Sequence, residues 1–326
     1  MADPLSIRGV VERPVHFRAG PHTLFGVLTE PPNGGGDVGV VLAMGGAYVA
    51  APNRNRLSVR MARALAAWGC RTIRFDYHGV GESTGTIDGY WLDRPFVEDL
   101  VGAVDVLRSA GVRRIILIGS CFGARTILAA ADRVPELAGA MLISTPVRDF
   151  QMGDNVPDQY ARDLSVPQLL GKALRSHVWR NLFAPGTPQA FLRSRRLITR
   201  TAVLKLARLL RGPRGDGRAR GVSDRFRAGL VHLHARRTPL LFLYGQEENF
   251  YEEFERARRG ELRDLLTGPE GTVTVEIVEG VVHGFTTLAV QEQVMARGLS
   301  WVQTLALSTA QTAPTRPQKS LLTPLS

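Results

Sequence analysis

Short apolar runs alternate with helical patterns of hydrophobic and polar positions along most of the chain. Val38–Met44 is apolar throughout, as expected for a strand that is buried on both faces of a parallel sheet. Comparable runs lie at residues 71–76, 114–118, 137–143, 239–244 and 272–278. Apolar positions recur with helical spacing at about residues 55–68, 94–109, 251–266 and 288–307. This alternation predicts an α/β fold with a mostly parallel, doubly wound sheet, and residues 16–30 predict a hairpin before it.

The alternation stops after residue 143 and resumes at residue 239. Helical patterns within this interval cover residues 166–182, 188–210 and 224–235, and a Gly- and Arg-rich loop is expected at residues 212–221. We therefore predict a core in two parts, a helical cap inserted between them, and a disordered tail that contains three prolines. The predicted bounds are 1–145 and 238–308 for the core, 146–237 for the cap and 309–326 for the tail.

Positive charge is concentrated in the predicted cap. The net charge is +11, and residues 148–237, with 19 Lys or Arg, 6 Asp and no Glu, carry +13, so the remainder carries −2. Such a segment is typical of a solvated basic surface or of one that receives an acidic partner. We expect acyl carrier protein or the phosphates of CoA as that partner. Nucleic acid is not expected, because no binding motif for it accompanies the charge.

Length and composition indicate a soluble protein with a substantial core. The chain has 326 residues, 44% of them hydrophobic, which suffices for one large domain with an insertion. No run approaches the ~20 apolar residues of a membrane span, and the N-terminus shows no signal-peptide pattern, so a cytoplasmic location is expected. The two cysteines, Cys70 and Cys121, provide neither a disulfide framework nor metal-ligand spacing. We expect Cys70 to be a buried packing thiol, and we expect no metal or cofactor.

The most informative stretch is residues 115–126, Ile-Ile-Leu-Ile-Gly-Ser-Cys-Phe-Gly-Ala-Arg-Thr. The spacing of Gly119, Cys121 and Gly123 matches a nucleophile elbow, a strained turn between a strand and a helix that exposes its central side chain. Cysteine at this position favours covalent acyl chemistry, particularly with thioesters. Ser120 is a weaker candidate, because a residue before the apex should point back toward the strand.

A nucleophile of this kind requires a histidine as base and an acid that orients the histidine. His283 follows the last predicted strand, at the edge of the sheet where such a base is expected. Glu248 follows the preceding strand, in Gly-Gln-Glu-Glu-Asn, and is the predicted acid. Glu247 and Asp149 are the alternatives for the acid.

The oxyanion that forms during attack requires preorganised donors. The backbone N–H of Phe122, at the start of the elbow helix, is one predicted donor. The other is the N–H of Gly46 or Ala47, in a loop where glycines allow close approach of the backbone. The helix N-terminus is also expected to lower the pKa of the Cys121 thiol.

These motifs resemble those of α/β-hydrolases of the serine-aminopeptidase-like branch. Residues 74–83, Arg-Phe-Asp-Tyr-His-Gly-Val-Gly-Glu-Ser, are similar to that family's Asp-x-Arg-Gly-x-Gly-x-Ser stretch, with His78 at the position of its Arg. Residues 45–56 are similar to small α/β-hydrolases associated with bacterial polysaccharide export and acyl transfer. Cysteine at the elbow is similar to dienelactone hydrolases. Cys121 and Glu248 depart from the usual Ser and Asp, and the resemblance implies an α/β-hydrolase fold with a helical cap.

We expect an enzyme that forms an acyl-Cys121 intermediate from an ester or thioester and releases the acid by hydrolysis. An acyltransferase of secondary metabolism, which passes the acyl group to an alcohol or amine, is the first alternative. A protein of this fold that binds a small molecule without turnover is the second.

Overall fold

The computed structural model describes residues 5–7, 9–44, 49–87, 91–149, 221–267 and 272–308. The chain divides into two compact units, one of residues 1–89, 93–147 and 222–326 and one of residues 90–92 and 148–221. Most of the predicted cap and the whole predicted tail lie outside the described residues. The first unit carries the sheet and the candidate site.

Nine strands form one sheet in the order β1-β2-β3-β5-β4-β6-β7-β8-β9. Their bounds are β1 Leu5–Ile7, β2 Val10–Ala19, β3 His22–Glu30, β4 Val38–Met44, β5 Arg71–Phe75, β6 Arg114–Ser120, β7 Leu137–Ile143, β8 Leu240–Gly245 and β9 Val273–Val278. The first three strands pair antiparallel with one another, and β3 also pairs antiparallel with β5. The six strands from β5 to β9 in the sheet pair parallel, so the predicted fold class is confirmed.

The described helices lie between the parallel strands and after the last one. Their bounds are α1 Leu57–Ala67, α2 Val97–Ser109, α3 Phe122–Ala130, α4 Asp224–Ala235, α5 Asn249–Arg259, α6 Arg263–Leu266 and α7 Leu288–Ser308. One predicted helix was wrong in its length: the single helix expected at residues 251–266 is two helices. The chain breaks at Gly260, and the N–H of Leu262 returns to the carbonyl of Ala257 at 2.8 Å, which buries the Leu262 side chain.

The core lies on both faces of the sheet. All seven residues of β4 are buried, as its continuous apolar run predicts. On one face, α1 and α7 contribute Leu57, Met61 and Val294 to a cluster with the strand side chains. On the other face, α4 packs against α3 so closely that a Cβ at Gly229 would lie 2.2 Å from the carbonyl oxygen of Leu128. The sequence assigned α4 to the cap, whereas the structure packs it on the elbow helix.

An ion-pair network lies beside the antiparallel part of the sheet. Glu12 on β2 accepts from the buried guanidinium of Arg74 at 2.8 Å and from Arg63 on α1. Burial acts to raise the pKa of Glu12, but the bonds from Arg63 and Arg74 outweigh it and lower the pKa below its ordinary value. This network therefore ties α1 to two strands through one carboxylate.

Among the described helices, none is long and apolar enough to cross a membrane.

Candidate active site

Cys121 lies between β6 and α3 in a backbone conformation that non-glycine residues rarely adopt, with φ 50° and ψ −110°. Its N–H donates to the carbonyl of Ile143 at the end of β7, at 2.9 Å. Its own carbonyl accepts the N–H of Arg125 at 3.1 Å, which begins the helical ladder of α3. The strained residue is thus the junction between a central strand and the helix that follows it.

The glycines on either side of Cys121 allow that junction to pack. A Cβ at Gly123 would lie 1.7 Å from the carbonyl oxygen of Ala43 on β4. A Cβ at Gly119 would lie 2.7 Å from the carbonyl carbon of Gly123. No side chain fits at either position, because real Cβ atoms do not approach other heavy atoms this closely. Ser120 is the last residue of β6 and is buried.

The Cys121 thiol is 4% exposed, and its burial decides its acidity. Burial raises the pKa of Cys121 from 9.0 to about 12, although the backbone N–H of Phe122 and the charge of Arg125 lower it in part. The carboxylate of Glu248 adds a smaller contribution that raises the pKa further. The sequence predicted a lowered thiol pKa from the helix N-terminus. That direction is wrong, because the loss of hydration outweighs the helix contribution.

Glu248 is 4% exposed and follows β8 in a turn closed by its N–H to the carbonyl of Gly245 at 3.2 Å. Its Oε1 accepts from the backbone N–H of His283 and from the hydroxyl of Ser144, the latter at 3.1 Å. Its Oε2 is buried and has no hydrogen-bond partner within the described residues. Burial raises the pKa of Glu248, and the hydrogen bonds from His283 and Ser144 oppose that rise.

The other two candidates for the acid differ from Glu248 in their exposure. The side chain of Glu247 is exposed, and its backbone N–H donates to the carbonyl of Gly280 at 3.2 Å. Asp149 is exposed and belongs to the other compact unit. The carboxylate of Glu248 is buried and accepts the backbone N–H of His283.

His283 lies in the loop between β9 and α7, and the N–H of Phe285 donates to the carbonyl of Val282 at 2.9 Å to close that loop. The imidazole meets the ring of Phe250 edge to face, with 5.1 Å between the ring centroids. Burial lowers the pKa of His283, so its imidazole is neutral at neutral pH. Within the described part of the chain, the ring forms no hydrogen bond to Cys121 or Glu248, and His283 is joined to Glu248 through its backbone N–H.

The remaining predicted site residues are the candidate oxyanion donors and His78. Phe122 is the first residue of α3 and is buried, and its backbone N–H lowers the pKa of the Cys121 thiol in part. Gly46 and Ala47 lie outside the described residues. The side chain of His78, at the position of the family's Arg, is held by Asp99, whose Oδ2 lies 2.8 Å from its Nδ1.

The sequence did not single out Ser144 or Arg125. Arg125 is buried one turn after Cys121, and it donates to the hydroxyl of Ser223 at 2.7 Å and to the carbonyl of Pro146 at 3.2 Å. The sequence did carry a signal for Arg125, because it is the one charged residue in the otherwise apolar helix that follows Cys121. No local pattern marks Ser144, because its partner Glu248 is 104 residues away in the sequence.

A thiol, an imidazole and a carboxylate are the groups that general-base nucleophilic chemistry requires. Burial disfavours charge on the Cys121 thiol and on the His283 imidazole, so both groups are neutral at rest. In general, a neutral thiol and a neutral imidazole that meet in a reactive complex react when the imidazole removes the thiol proton during attack rather than before it. Hydrogen bonds between nucleophile and base are often absent without substrate and form only in the reactive complex.

Comparison with known proteins supplies the family context of this geometry. Residues 28–286 match the family described as Alpha/beta hydrolase family. An esterase of Pyrococcus furiosus superposes with a TM-score of 0.55 at 15% identity, covering 90% of this chain and 92% of the esterase. The proline iminopeptidase of Mycobacterium smegmatis superposes with a TM-score of 0.52 at 18% identity, covering 91% and 100%. A Butyrivibrio proteoclasticus protein with ferulic acid bound superposes with a TM-score of 0.53 at 13% identity, covering 90% of this chain and 99% of that protein. No curated protein sequence matches the chain significantly.

Proposed function

Since the chain belongs to the alpha/beta hydrolase family, we propose that it cleaves an ester or thioester through an acyl-Cys121 intermediate and releases the acid by hydrolysis. The observation that carries the proposal is the strained conformation of Cys121 at the strand-to-helix junction, with φ 50°. Strain of this kind concentrates at functional sites, because the surrounding structure must hold it. A cysteine with only a packing role has no need of it.

The first half of the proposed reaction acylates the cysteine. His283 takes the proton from the Cys121 sulfur while the sulfur attacks the carbonyl carbon, and a tetrahedral oxyanion forms. The N–H of Phe122 and that of Gly46 or Ala47 hold this oxyanion. The bond to the leaving oxygen or sulfur then breaks, and His283 returns its proton to that leaving group.

The second half releases the acid. His283 removes a proton from water while the water oxygen attacks the acyl carbon, and the C–S bond breaks with the proton passing to the sulfur. Glu248 orients the imidazole and stabilises its positive charge in both halves. Because Oε1 already accepts two hydrogen bonds, Oε2 is the oxygen proposed to accept the ring N–H.

Intact-mass spectrometry tests the acyl-cysteine. An activated acyl thioester mixed with the protein and quenched in acid should add one acyl mass to the wild type and to Cys70→Ala, and none to Cys121→Ala. Retention of the adduct in Cys121→Ala together with its loss in Ser120→Ala would assign the nucleophile to Ser120 and overturn the proposal. A wild type that forms no adduct and no product would instead indicate a binding protein.

Transfer to another acceptor is separated from hydrolysis in the same assay. Alcohols and amines are added after the adduct has formed, and the products are identified by mass. Release of the free acid alone supports the hydrolase. Products that contain the acceptor support the acyltransferase, because water is then excluded from the acyl-enzyme.

We also propose that the acyl group arrives on an acidic carrier. The support for this is the net charge of +13 over residues 148–237, against −2 for the rest of the chain. Surface plasmon resonance with acyl carrier protein and with CoA thioesters, at two salt concentrations, should show binding that weakens as salt increases. Binding to neither ligand, or binding that is independent of salt, would contradict the carrier and leave the acyl-cysteine test unaffected.

A further inference from the structure

We infer that Ser144 is a positioning residue that fixes the carboxylate of Glu248 and, through that carboxylate, the base His283. The inference rests on the proposed function and adds to it a residue that the motifs do not include. Ser144 follows the last residue of β7 directly, and its side chain is buried. Its hydroxyl donates to Glu248 Oε1 at 3.1 Å.

Residues 143–145 connect the nucleophile to the acid. The carbonyl of Ile143 accepts the N–H of Cys121 at 2.9 Å. The carbonyl of Thr145, two residues later, accepts the hydroxyl of Tyr244 at 2.9 Å, and Tyr244 belongs to the strand that leads to Glu248. Ser144 lies between these two anchors, so the position of its hydroxyl is set by the nucleophile on one side and by β8 on the other.

The backbone of Ser144 is strained in the same sense as that of the nucleophile. Its φ is 44°, and its N–H donates to the carbonyl of Leu243 at 2.8 Å. Within the described residues seven non-glycine residues have positive φ, and three of them are Cys121, Ser144 and Phe285. The last of these lies two residues after the base. Left-handed strain therefore accompanies the nucleophile, the segment that contacts the acid and the loop of the base.

The hydroxyl of Ser144 determines which carboxylate oxygen is available. Oε1 accepts both the Ser144 hydroxyl and the His283 N–H, so its acceptor capacity is used. Oε2 is buried without a partner in the described residues. With Ser144 in place the carboxylate cannot rotate freely, and one oxygen is reserved for the imidazole. Loss of the hydroxyl removes one of the two hydrogen bonds that hold Oε1 and leaves the other, from the backbone N–H of His283.

The same hydrogen bond affects the charge of the acid. Burial raises the pKa of Glu248, and the Ser144 hydroxyl is one of the bonds that lower it. Without the hydroxyl the carboxylate is protonated at higher pH. Protonation of the proposed base His283 lowers turnover at acidic pH in the variants as in the wild type. Because a protonated Glu248 cannot stabilise the imidazolium of His283, loss of the hydroxyl should extend this fall in turnover to higher pH while substrate binding is retained.

The test measures kcat and KM against pH for the wild type, Ser144→Ala and Ser144→Gly. Both variants lose the hydroxyl, but only glycine adopts φ 44° without strain. In both we expect the acidic limb of kcat to move upward by about one pH unit, which is about a tenfold loss of kcat on that limb, with KM unchanged. Ser58→Ala is the matched control, because its hydroxyl is buried without a hydrogen-bond partner in the described residues. Its profile should coincide with that of the wild type.

A double-mutant cycle with Glu248→Gln provides the second measurement. If Ser144 acts through Glu248, Ser144→Ala should have no further effect on kcat once the carboxylate is an amide. The inference would be overturned if the losses of kcat in Ser144→Ala and Glu248→Gln were additive in the double variant. It would also be overturned if the acidic limb of kcat moved in neither Ser144→Ala nor Ser144→Gly. The acyl adduct on the wild type separates this outcome from failure of the proposed function. With the adduct present and the limb unmoved, only the role of Ser144 is lost.

Discussion

The resting state of the Cys121 thiol can be tested by alkylation. The sequence contains two cysteines, so Cys70→Ala leaves Cys121 as the single thiol. Iodoacetamide reacts with the thiolate, and the second-order rate constant is measured from pH 6 to pH 10 on the folded protein and on the same variant in urea. The comparison reports the acidity of the thiol with and without the surrounding structure.

The structure sets the size of the expected difference. Burial raises the pKa of Cys121 from 9.0 to about 12. Because each pH unit is a factor of ten in the thiolate fraction, the folded protein holds about a thousandfold less thiolate than the unfolded chain at pH 7. The folded rate should rise about tenfold for each pH unit up to pH 10 without a plateau, whereas the unfolded rate levels off above pH 9.

The pH slope separates acidity from access. Restricted access to the buried sulfur lowers every rate by the same factor and leaves the slope of rate against pH unchanged.

Two variants then test the charges around the sulfur. Glu248→Gln removes a charge that raises the thiol pKa and should accelerate alkylation, and Arg125→Met removes one that lowers it and should slow alkylation. A plateau of the folded rate at or below pH 7 would refute the reasoning, because it would require a preformed thiolate and imidazolium pair.

Three further outcomes follow from the packing. Gly123→Ala places a Cβ 1.7 Å from a β4 carbonyl oxygen and should lower the free energy of unfolding by at least about 3 kcal/mol in urea titrations, whereas Gly36→Ala, whose Cβ meets nothing nearer than 3.6 Å, should be neutral. Glu12→Gln should cost about 3 kcal/mol at pH 7 by leaving buried Arg74 without a charged partner. Because the folded pKa of Glu12 lies below its ordinary 4.5, this difference should persist above pH 4.5 and shrink as the pH falls below it. Cys70→Ala should cost about 1–2 kcal/mol by leaving a small cavity and should leave turnover unchanged.

Local patterns were sufficient for the parallel strands and for the strand-to-helix turn at Cys121. The predicted bounds of β4 and β7 agree with the structure, because a strand buried on both faces requires an unbroken apolar run that ends where burial ends. The Gly-x-Cys-x-Gly spacing is likewise local, since the turn and its neighbours are within a few residues of each other. The helix predicted at residues 251–266 was too long, because the break at Gly260 depends on Leu262 turning into the core.

The sequence by itself determined the alternation of parallel strands and helices in the core, the position of the strand-to-helix turn at Cys121 and the candidates for the base and the acid. Only the tertiary structure distinguished buried Glu248 from exposed Glu247, brought the Ser144 hydroxyl to Glu248, and set the direction of the Cys121 pKa. The physical reason is that these three properties depend on desolvation and on contacts between residues far apart in the chain. A spacing pattern records which residues are neighbours in sequence, whereas the acidity of a thiol depends on how much water the rest of the fold has removed from it.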